Sequence, residues 1–202
     1  MNAKKLSFLL LILVAVACTN RSTSSEQDEM RHWNNVLQQI NALLLENKAR
    51  QTLDLAKQTL PEILESAEKN GTTDTLIYYA RKIFNACGNN YINTKQYKDG
   101  IDYMDSIGNH PLIREHCPHE LLSFKAGLNQ LYGNNPEAVR LAEDYLQLPV
   151  CTSANDFIRQ AEIISGVYMY SGNNLPKAIQ ILEKAIDVYR KGGNFPRSEE
   201  HT

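Results

Sequence analysis

Apolar residues recur three and four positions apart along most of the chain, from about Glu26 onward. That spacing places them on one face of an α-helix, with polar residues on the opposite face. No stretch shows the sustained apolar and polar alternation, rich in β-branched residues, that is typical of strands. Short segments rich in Gly, Asn and Pro, such as 108–111 and 133–136, separate the helical patterns. The pattern predicts an all-α protein.

The periodicity predicts eight helices joined by short turns. They cover residues 27–45, 48–69, 74–94, 96–107, 118–132, 136–147, 153–171 and 176–191. Pro61 falls inside the second helix and is expected to kink or split it, because proline lacks a backbone donor. Asn135 is expected to cap the sixth helix, with Pro136 at its first position. Helices joined by short turns pack as antiparallel neighbours, so the chain is predicted to form four helical hairpins.

A small residue recurs in the second helix of each of the last three hairpins. Gly100, Ala138 and Ala178 occupy equivalent positions, 38 and 40 residues apart. Small side chains there allow the second helix to lie close to the first. Such a recurrence is typical of repeat proteins, in which stacked units bury a continuous core.

These hairpins resemble the tetratricopeptide repeat (TPR), a helix pair with a period of about 34 residues. The second hairpin carries the pattern at Phe84, Gly88, Tyr91, Tyr97, Gly100, Met104, Ile107 and Pro111. The last hairpin carries it at Ala161, Ile164, Ser165, Tyr168, Gly172, Ala178, Leu182 and Ala185. The third has Lys125 and Asn129 where apolar residues are usual. Its apolar stripe is instead Leu121, Phe124, Leu128 and Leu131. The resemblance spans residues 73–191 and implies a TPR-like α-solenoid of about eight helices in four antiparallel pairs.

The first hairpin carries no repeat signature, but its first helix is amphipathic. The apolar stripe is Trp33, Val36, Leu37, Ile40 and Leu44. A stripe of this kind can cover the open end of a solenoid, so we expect the segment 27–69 to cap the repeats.

The start of the chain has the features of a bacterial export signal. Two lysines precede an apolar run from residue 6 to 17, which is shorter than the about 20 residues of a membrane-spanning helix. Residues 15–18 read Ala-Val-Ala-Cys and resemble the lipobox of bacterial lipoproteins. That resemblance implies cleavage before Cys18 and lipidation of its thiol, and Thr19 in place of Asp favours the outer membrane. A soluble exported protein with an unmodified Cys18 is the alternative.

The predicted organisation therefore has four parts. Residues 1–17 form the signal peptide and 18–26 a lipidated flexible tether. Residues 27–191 form the solenoid, and 192–202 a tail or the start of a truncated further repeat.

The net charge of the chain indicates which classes of partner to expect. The chain has 202 residues, 43% of them hydrophobic, and 21 Lys and Arg against 23 Asp and Glu give a net charge of −2. Loss of Lys4 and Lys5 with the signal peptide makes the charge −4. Because no excess of positive charge is present, a nucleic-acid partner is not expected.

No residue pattern indicates catalysis, so a protein without enzymatic activity or cofactor is predicted. The sequence contains no phosphate loop, nucleophile elbow or metalloprotease helix. Four acidic residues are expected on outer helix faces: Glu137, Glu143, Glu183 and Asp187. A helical glycan hydrolase, the third class of function considered, would instead require an acidic pair in a cleft.

One local group of His and Cys is a candidate metal site. His110 and the run His116-Cys117-Pro118-His119 contain zinc-ligand types, but no partner ligands follow at a defined spacing. We therefore expect solvated loop histidines and no metal. Cys87 is expected to be a small core residue, and a disulfide between Cys117 and Cys151 is left open.

A polar row on the third helix is the candidate binding surface. The row begins at Lys82 and continues with Asn85, Asn89 and Asn93, which follow it by three, seven and eleven positions and so share one helix face. By the resemblance to TPR solenoids, this row lines the concave surface, where amides can hold an extended peptide by its backbone. The matching positions of the last hairpin are Arg159, Glu162, Met169 and Tyr170. The alternative is that these residues are ordinary wet surface.

Two functions fit this prediction. The first is a lipid-anchored, non-catalytic envelope scaffold that binds a protein or peptide on its concave face and the membrane through its N-terminal lipid. The second is the N-terminal periplasmic sensor region of a longer membrane signalling protein, a histidine kinase or transcriptional regulator. Residues 192–198 resemble the lead into another repeat and support the second. An uncapped terminal repeat could also form a homodimer.

Overall fold

The computed structural model describes residues 28–149 and 154–191, and within these ranges every regular element is a helix. The all-α prediction is confirmed. The helices are α1 (28–45), α2 (Ala49–Asn70), α3 (Asp74–Asn93), α4 (Tyr97–Ile107), α5 (Pro111–His116), α6 (Pro118–Tyr132), α7 (Asn135–Gln147), α8 (Ala154–Tyr170) and α9 (Leu175–Lys191). The described helix ends differ from the predicted ones by at most one residue. The predicted signal peptide, tether and tail lie outside the described residues, as do Cys18 and Cys151.

The short helix α5 was not predicted. The His110 side chain caps it, because Nδ1 accepts a hydrogen bond from the backbone N–H of Leu112 at 3.2 Å. Pro111 stands at the first helical position, where its missing N–H costs nothing. Leu112 and Ile113 are buried and hold the turn against the core. A segment that resembles a connector in sequence is therefore a packed element.

Two expectations about helix ends and breaks are corrected. Pro61 does not split α2, which runs unbroken from Ala49 to Asn70 with buried residues such as Leu60 and Ile63 on both sides of the proline, while a kink at Pro61 stays a prediction. Asn135 does not cap α7 but is its first residue. Its Oδ1 accepts a hydrogen bond from the hydroxyl of Ser171 at 2.8 Å, so its side chain bonds to a neighbouring turn and not to the backbone of α7.

Helices that follow one another in the chain pack together. α2 packs on α3, α6 on α7, and α8 on α9, while α6 also contacts α3, α4 and α8. α1 belongs to the same core as α2 and α3 through Trp33, Val36 and Ile40. Its start is bonded to the end of α2, where the Ser66 hydroxyl donates to Glu29 Oε1 at 3.0 Å.

The buried apolar residues form two clusters that meet at α6. The first extends from Trp33 of α1 to Leu128 of α6, and the second from Ala126 of α6 to Ala185 of α9. Because α6 contributes to both, it is covered by protein on more than one side. The helix ends at Gly133, whose φ of 96° is the left-handed conformation that stops a helix.

The repeated small residues lie at close helix contacts. A Cβ atom on Gly100 would lie 3.0 Å from the Tyr91 side chain and 3.1 Å from that of Leu128. Ala138 and Ala178 are buried. The interpretation that a small residue allows the close approach is therefore confirmed at Gly100, and the burial of Ala138 and Ala178 fits it.

The predicted stripes are largely buried. Those of the second and last hairpins are buried on their first helices: Phe84, Cys87, Gly88, Tyr91, Ala161, Ile164, Ser165 and Tyr168. In α6, Phe124 and Leu128 are buried, but Leu131 is exposed. In α1, Leu44 is likewise exposed at the end of its stripe.

Candidate functional site

The predicted polar row of α3 follows the helix from a buried position to an exposed one. Lys82 and Asn89 are half-buried, Asn93 is exposed, and Asn85 is only 7% exposed. The alternative that these residues are ordinary wet surface therefore does not hold for Asn85. Neighbouring helices cover this residue, so it belongs to the floor of a depression.

That depression is a groove of about 320 Å³ between α1, α3 and α8, which we call the amide groove. Its polar lining is Asn41, Lys82, Asn85, Asn89, Asn90 and Arg159. Its remaining lining is Leu37, Ile40, Leu44, Tyr78 and Ala86. Three residues of the predicted row thus lie together with Arg159, which is 70 positions or more away in sequence.

A second cavity of about 270 Å³ adjoins the amide groove. Leu44 and Asn90 line both, and the fourth residue of the predicted row, Asn93, lines this second cavity with Asn47. Four predicted residues of α3 therefore face two adjacent cavities along one side of the helix. The combined surface is long enough for more than one residue of an extended ligand.

The two walls of the amide groove differ in character. Leu37, Ile40 and Leu44 of α1 form an apolar wall, because the stripe of α1 turns partly toward the groove. Tyr78 of α3 is half exposed at its margin, and the Lys82 ammonium lies 5.7 Å from the centre of its ring. This arrangement combines apolar contact area with amides that can both donate and accept.

Asn90 is a groove residue that the sequence interpretation missed. Its side chain is 0% exposed, and Nδ2 donates to the backbone carbonyl of Ala86 at 2.8 Å. Its Oδ1 has no hydrogen-bond partner among the described residues. The sequence places Asn90 eight positions after Lys82 on the same side of the helix, but only the position of α1 makes it line a cavity.

Charge in the amide groove is of one sign. Lys82 and Arg159 are the charged residues of its described lining, which contains no Asp or Glu. Lys48, on the adjoining cavity, lies 2.5 Å from Glu46 in an exposed ion pair. The groove is therefore locally cationic on a chain whose net charge is −2.

Three other predicted contact residues do not line the groove. Glu162, Met169 and Tyr170 are exposed on α8, and Tyr170 is 73% exposed. Only Arg159 of the predicted α8 set joins the residues of α3. The helical register of α8 correctly predicts exposure of these side chains but not which of them meet another helix.

The histidines near α5 have protein partners. His110 Nε2 lies 3.1 Å from Glu68 Oε1, and His119 Nε2 lies 2.6 Å from the carbonyl oxygen of Pro149. Both contacts are exposed to solvent, so the expectation of solvated loop histidines is wrong only in placing these residues in a loop, because they lie at the starts of helices. Within the described part of the chain, no three His, Cys, Asp or Glu residues are grouped to hold a metal ion.

Cys87 and Cys117 are buried thiols. Burial raises the pKa of each thiol to about 12, because the low-polarity surroundings disfavour the charged thiolate. Cys87 fits the prediction of a core residue. The Cys117–Cys151 disulfide stays a prediction, since Cys151 lies outside the described residues.

The acidic residues of α7 pair with cations and do not form a carboxylate pair with each other. Glu137 lies 2.6 Å from Arg140, which lowers the pKa of its carboxyl. Glu143 pairs with Lys177 of α9, and its pKa is lowered in the same way. Glu183 and Asp187 of α9 are exposed, as predicted.

Comparison of the chain with protein-family models, with curated proteins and with solved structures finds no match. Among the described helices, none is both long and apolar enough to cross a bilayer.

Proposed function

We propose that this protein is a non-catalytic, lipid-anchored envelope protein that binds an extended peptide segment of a partner in the amide groove. Export and lipidation at Cys18 rest on the resemblance of residues 1–18 to a lipoprotein signal. The binding function rests on the groove and on the helix arrangement that forms it.

The order of helix contacts supports a TPR-like solenoid. α3 contacts α4, and α4 packs on α6. In the same way, α6 contacts α7, and α7 packs on α8. In addition, α3 contacts α6, and α6 contacts α8. In a solenoid of helix pairs, each first helix meets its own partner, the preceding partner and the next first helix. Among the described helices, α6 makes all three kinds of contact and α8 makes the first two, which supports a repeated arrangement.

The single observation that carries the binding proposal is the meeting of Lys82, Asn85 and Asn89 with Arg159 in one groove. The resemblance to TPR solenoids predicts that these residues line one surface. Amide groups at successive turns of α3 match the donors and acceptors of an extended backbone. The apolar wall from α1 supplies area for a ligand side chain to bury.

Changing Asn89 and Asn93 together to Ala tests this function. Each amide offers hydrogen bonds of about 0.5–1.5 kcal/mol, so we expect partner recovery from envelope extracts to fall by about tenfold or more. The matched control changes Asn34 and Asn35, exposed amides of α1 that are not part of the groove lining. Equal recovery of every partner by the two variants would show that the groove is not the binding surface.

A separate experiment tests the lipid anchor. The Cys18→Ser variant lacks the thiol that receives the diacylglyceryl group, so we expect it to remain uncleaved and unlabelled by radioactive palmitate. Wild-type protein should incorporate the label and fractionate with membranes. Equal labelling of the two proteins would contradict lipidation at Cys18 while leaving the groove proposal intact.

A further inference from the structure

We propose that the segment held in the amide groove is acidic, and that one of its N–H groups donates to Oδ1 of Asn90. This inference rests on the proposed peptide-binding function and specifies its ligand. Asn90 Oδ1 defines a point of attachment, and the charges of the lining define the kind of side chain that lies beside it.

The first step is the unused acceptor. Asn90 is 0% exposed, its Nδ2 is bonded to Ala86, and its Oδ1 has no partner among the described residues. A buried acceptor without a partner is destabilising, since it has lost its hydrogen bonds to water and gained none. A leucine side chain at this position could be buried equally well, and it would have no polar atom left without a hydrogen bond. Asn90 lines both cavities, so a ligand N–H that displaces the side chains now covering Oδ1 would satisfy this acceptor.

The second step is the charge of the lining. Lys82 and Arg159 approach the groove from α3 and α8, and its described lining contains no carboxylate. Glu162, one turn from Arg159, is exposed outside the lining. Two cations without a neutralising acid in a partly enclosed site favour an anionic ligand. The surrounding protein is net acidic, so the positive charge is confined to the groove and does not spread over the surface.

The third step is to identify a ligand that has both an N–H donor for Asn90 and a negative charge for Lys82 and Arg159. An extended peptide supplies backbone N–H groups at regular intervals, and its Asp or Glu side chains can reach Lys82 and Arg159. A small inorganic anion has the charge but no N–H donor for Asn90. A long nucleic acid has both, but its phosphates would also meet the net negative charge of the rest of the chain.

Selection from a random dodecapeptide display library tests the ligand class. The purified wild-type protein is the target, and the Lys82→Gln/Arg159→Gln double variant is the counter-target. We expect the selected peptides to be enriched about threefold or more in Asp and Glu, and to bind the double variant at least about tenfold more weakly at low salt. Neutral or basic peptides that require the groove would overturn the acidic preference but leave the proposed function standing. If no selected peptide depends on Lys82, Arg159, Asn89 or Asn93, both the acidic preference and the proposed peptide-binding function are overturned. Binding of single-stranded DNA in preference to the selected peptides would also overturn both.

Substitution of backbone esters for amides in a selected peptide tests the Asn90 contact. An ester lacks the N–H, so one position should lose about tenfold in affinity for wild-type protein and lose nothing on Asn90→Leu. The Asn90→Leu protein should bind the unmodified peptide about tenfold more weakly and melt at the same temperature as wild type or about 2–4 °C higher. A lower melting temperature with unchanged affinity would make Asn90 a structural residue and overturn the contact. An ester scan in which no position matters would overturn it even if the variant does not fold.

Discussion

At the scale of single residues, several side chains have roles that their chemical type alone does not indicate. Asn90 and Asn89 are neighbours with the same side chain, yet one is fully buried and the other lines the groove half-buried. Gly88, one position earlier, is buried against the ring of Phe124 in α6. Within the run 88–90, a glycine at a helix contact, a groove-lining amide and a fully buried amide therefore follow one another.

Gly88 and Gly166 form a matched pair for a residue-scale prediction. A Cβ on Gly88 would lie 2.4 Å from atoms of the Phe124 ring, whereas a Cβ on Gly166 would meet nothing within 4 Å. We expect Gly88→Ala to lower the free energy of unfolding by about 1–3 kcal/mol, because the ring must move in a packed core. Gly166→Ala should raise it by about 0.4–1 kcal/mol, because alanine reduces the freedom of the unfolded chain.

Urea unfolding followed by circular dichroism measures both changes. Equal effects of the two substitutions would mean that α3 and α6 are not in close contact at Gly88. Phe84 of α3 also packs edge-on against Phe124 of α6, with ring centres 6.2 Å apart and ring planes at 87°, so it belongs to the same helix contact.

At the scale of helices, one buried ion pair joins α3 to the α5–α6 corner. Arg81 Nε lies 3.3 Å from Glu120 Oε1, and Arg81 Nη2 donates to the carbonyl oxygen of His116 at 2.5 Å. Glu120 is 1% exposed and Arg81 31% exposed. The pair holds the end of α5 and the start of α6 against α3, so it helps to set the position of the helix that both cores share.

Removing the cation of this pair should be costly. Arg81→Met leaves the Glu120 carboxylate buried without its main counter-charge, which costs about 3–5 kcal/mol when both partners are fully buried and less here because Arg81 is partly exposed. The double variant Arg81→Met/Glu120→Leu should recover much of that loss, since it removes the charge as well. A double-mutant cycle of unfolding free energies measures the coupling. Additive losses would show that the two groups do not interact.

The sequence predicts the helices better than it predicts their contacts. The spacing of Phe84, Cys87 and Tyr91 is a local property of one helix, and it correctly predicts a buried stripe. The sequence pattern does not predict α5, because Pro111 ends a run of turn residues, although a proline at a first helical position is equally a start signal.

The candidate site is predicted only in part, for a physical reason. Lys82 and Asn89 share a helix face that periodicity reveals. The inclusion of Arg159, the burial of Asn85 and the cavity beside Asn90 depend on where α1 and α8 lie, which no local pattern encodes. Interfaces between helices distant in sequence are set by packing of the whole core.

At the scale of the whole molecule, paired surface carboxylates link stability to pH. Neighbouring cations lower the pKa of three carboxyls from the ordinary value of 4.5: Lys69 acts on Glu65, Arg140 on Glu137, and Lys177 on Glu143. A carboxyl with a lower pKa in the folded protein takes up its proton more readily when the chain unfolds. Its contribution to stability is present above pH 4.5 and is lost as pH falls through the folded pKa.

We therefore expect the midpoint of urea unfolding to decrease between pH 5.5 and pH 3. The exposed pairs contribute little to stability, because solvent screens them. Glu143→Gln should reduce the decrease, since its Lys177 interaction links α7 to α9 and is lost at every pH. Asp187→Gln on the exposed face of α9 is the control and should leave the acid dependence unchanged. An identical acid dependence in all three proteins would contradict the role of Glu143.

The position of the amide groove has a mechanical consequence. Its lining includes α1 and α3, which belong to the first core, and Arg159 of α8, a helix of the second core. The two cores share α6. A ligand that contacts both Lys82 and Arg159 would connect the two cores directly, so we expect occupancy of the groove to reduce any motion of α8 relative to α3.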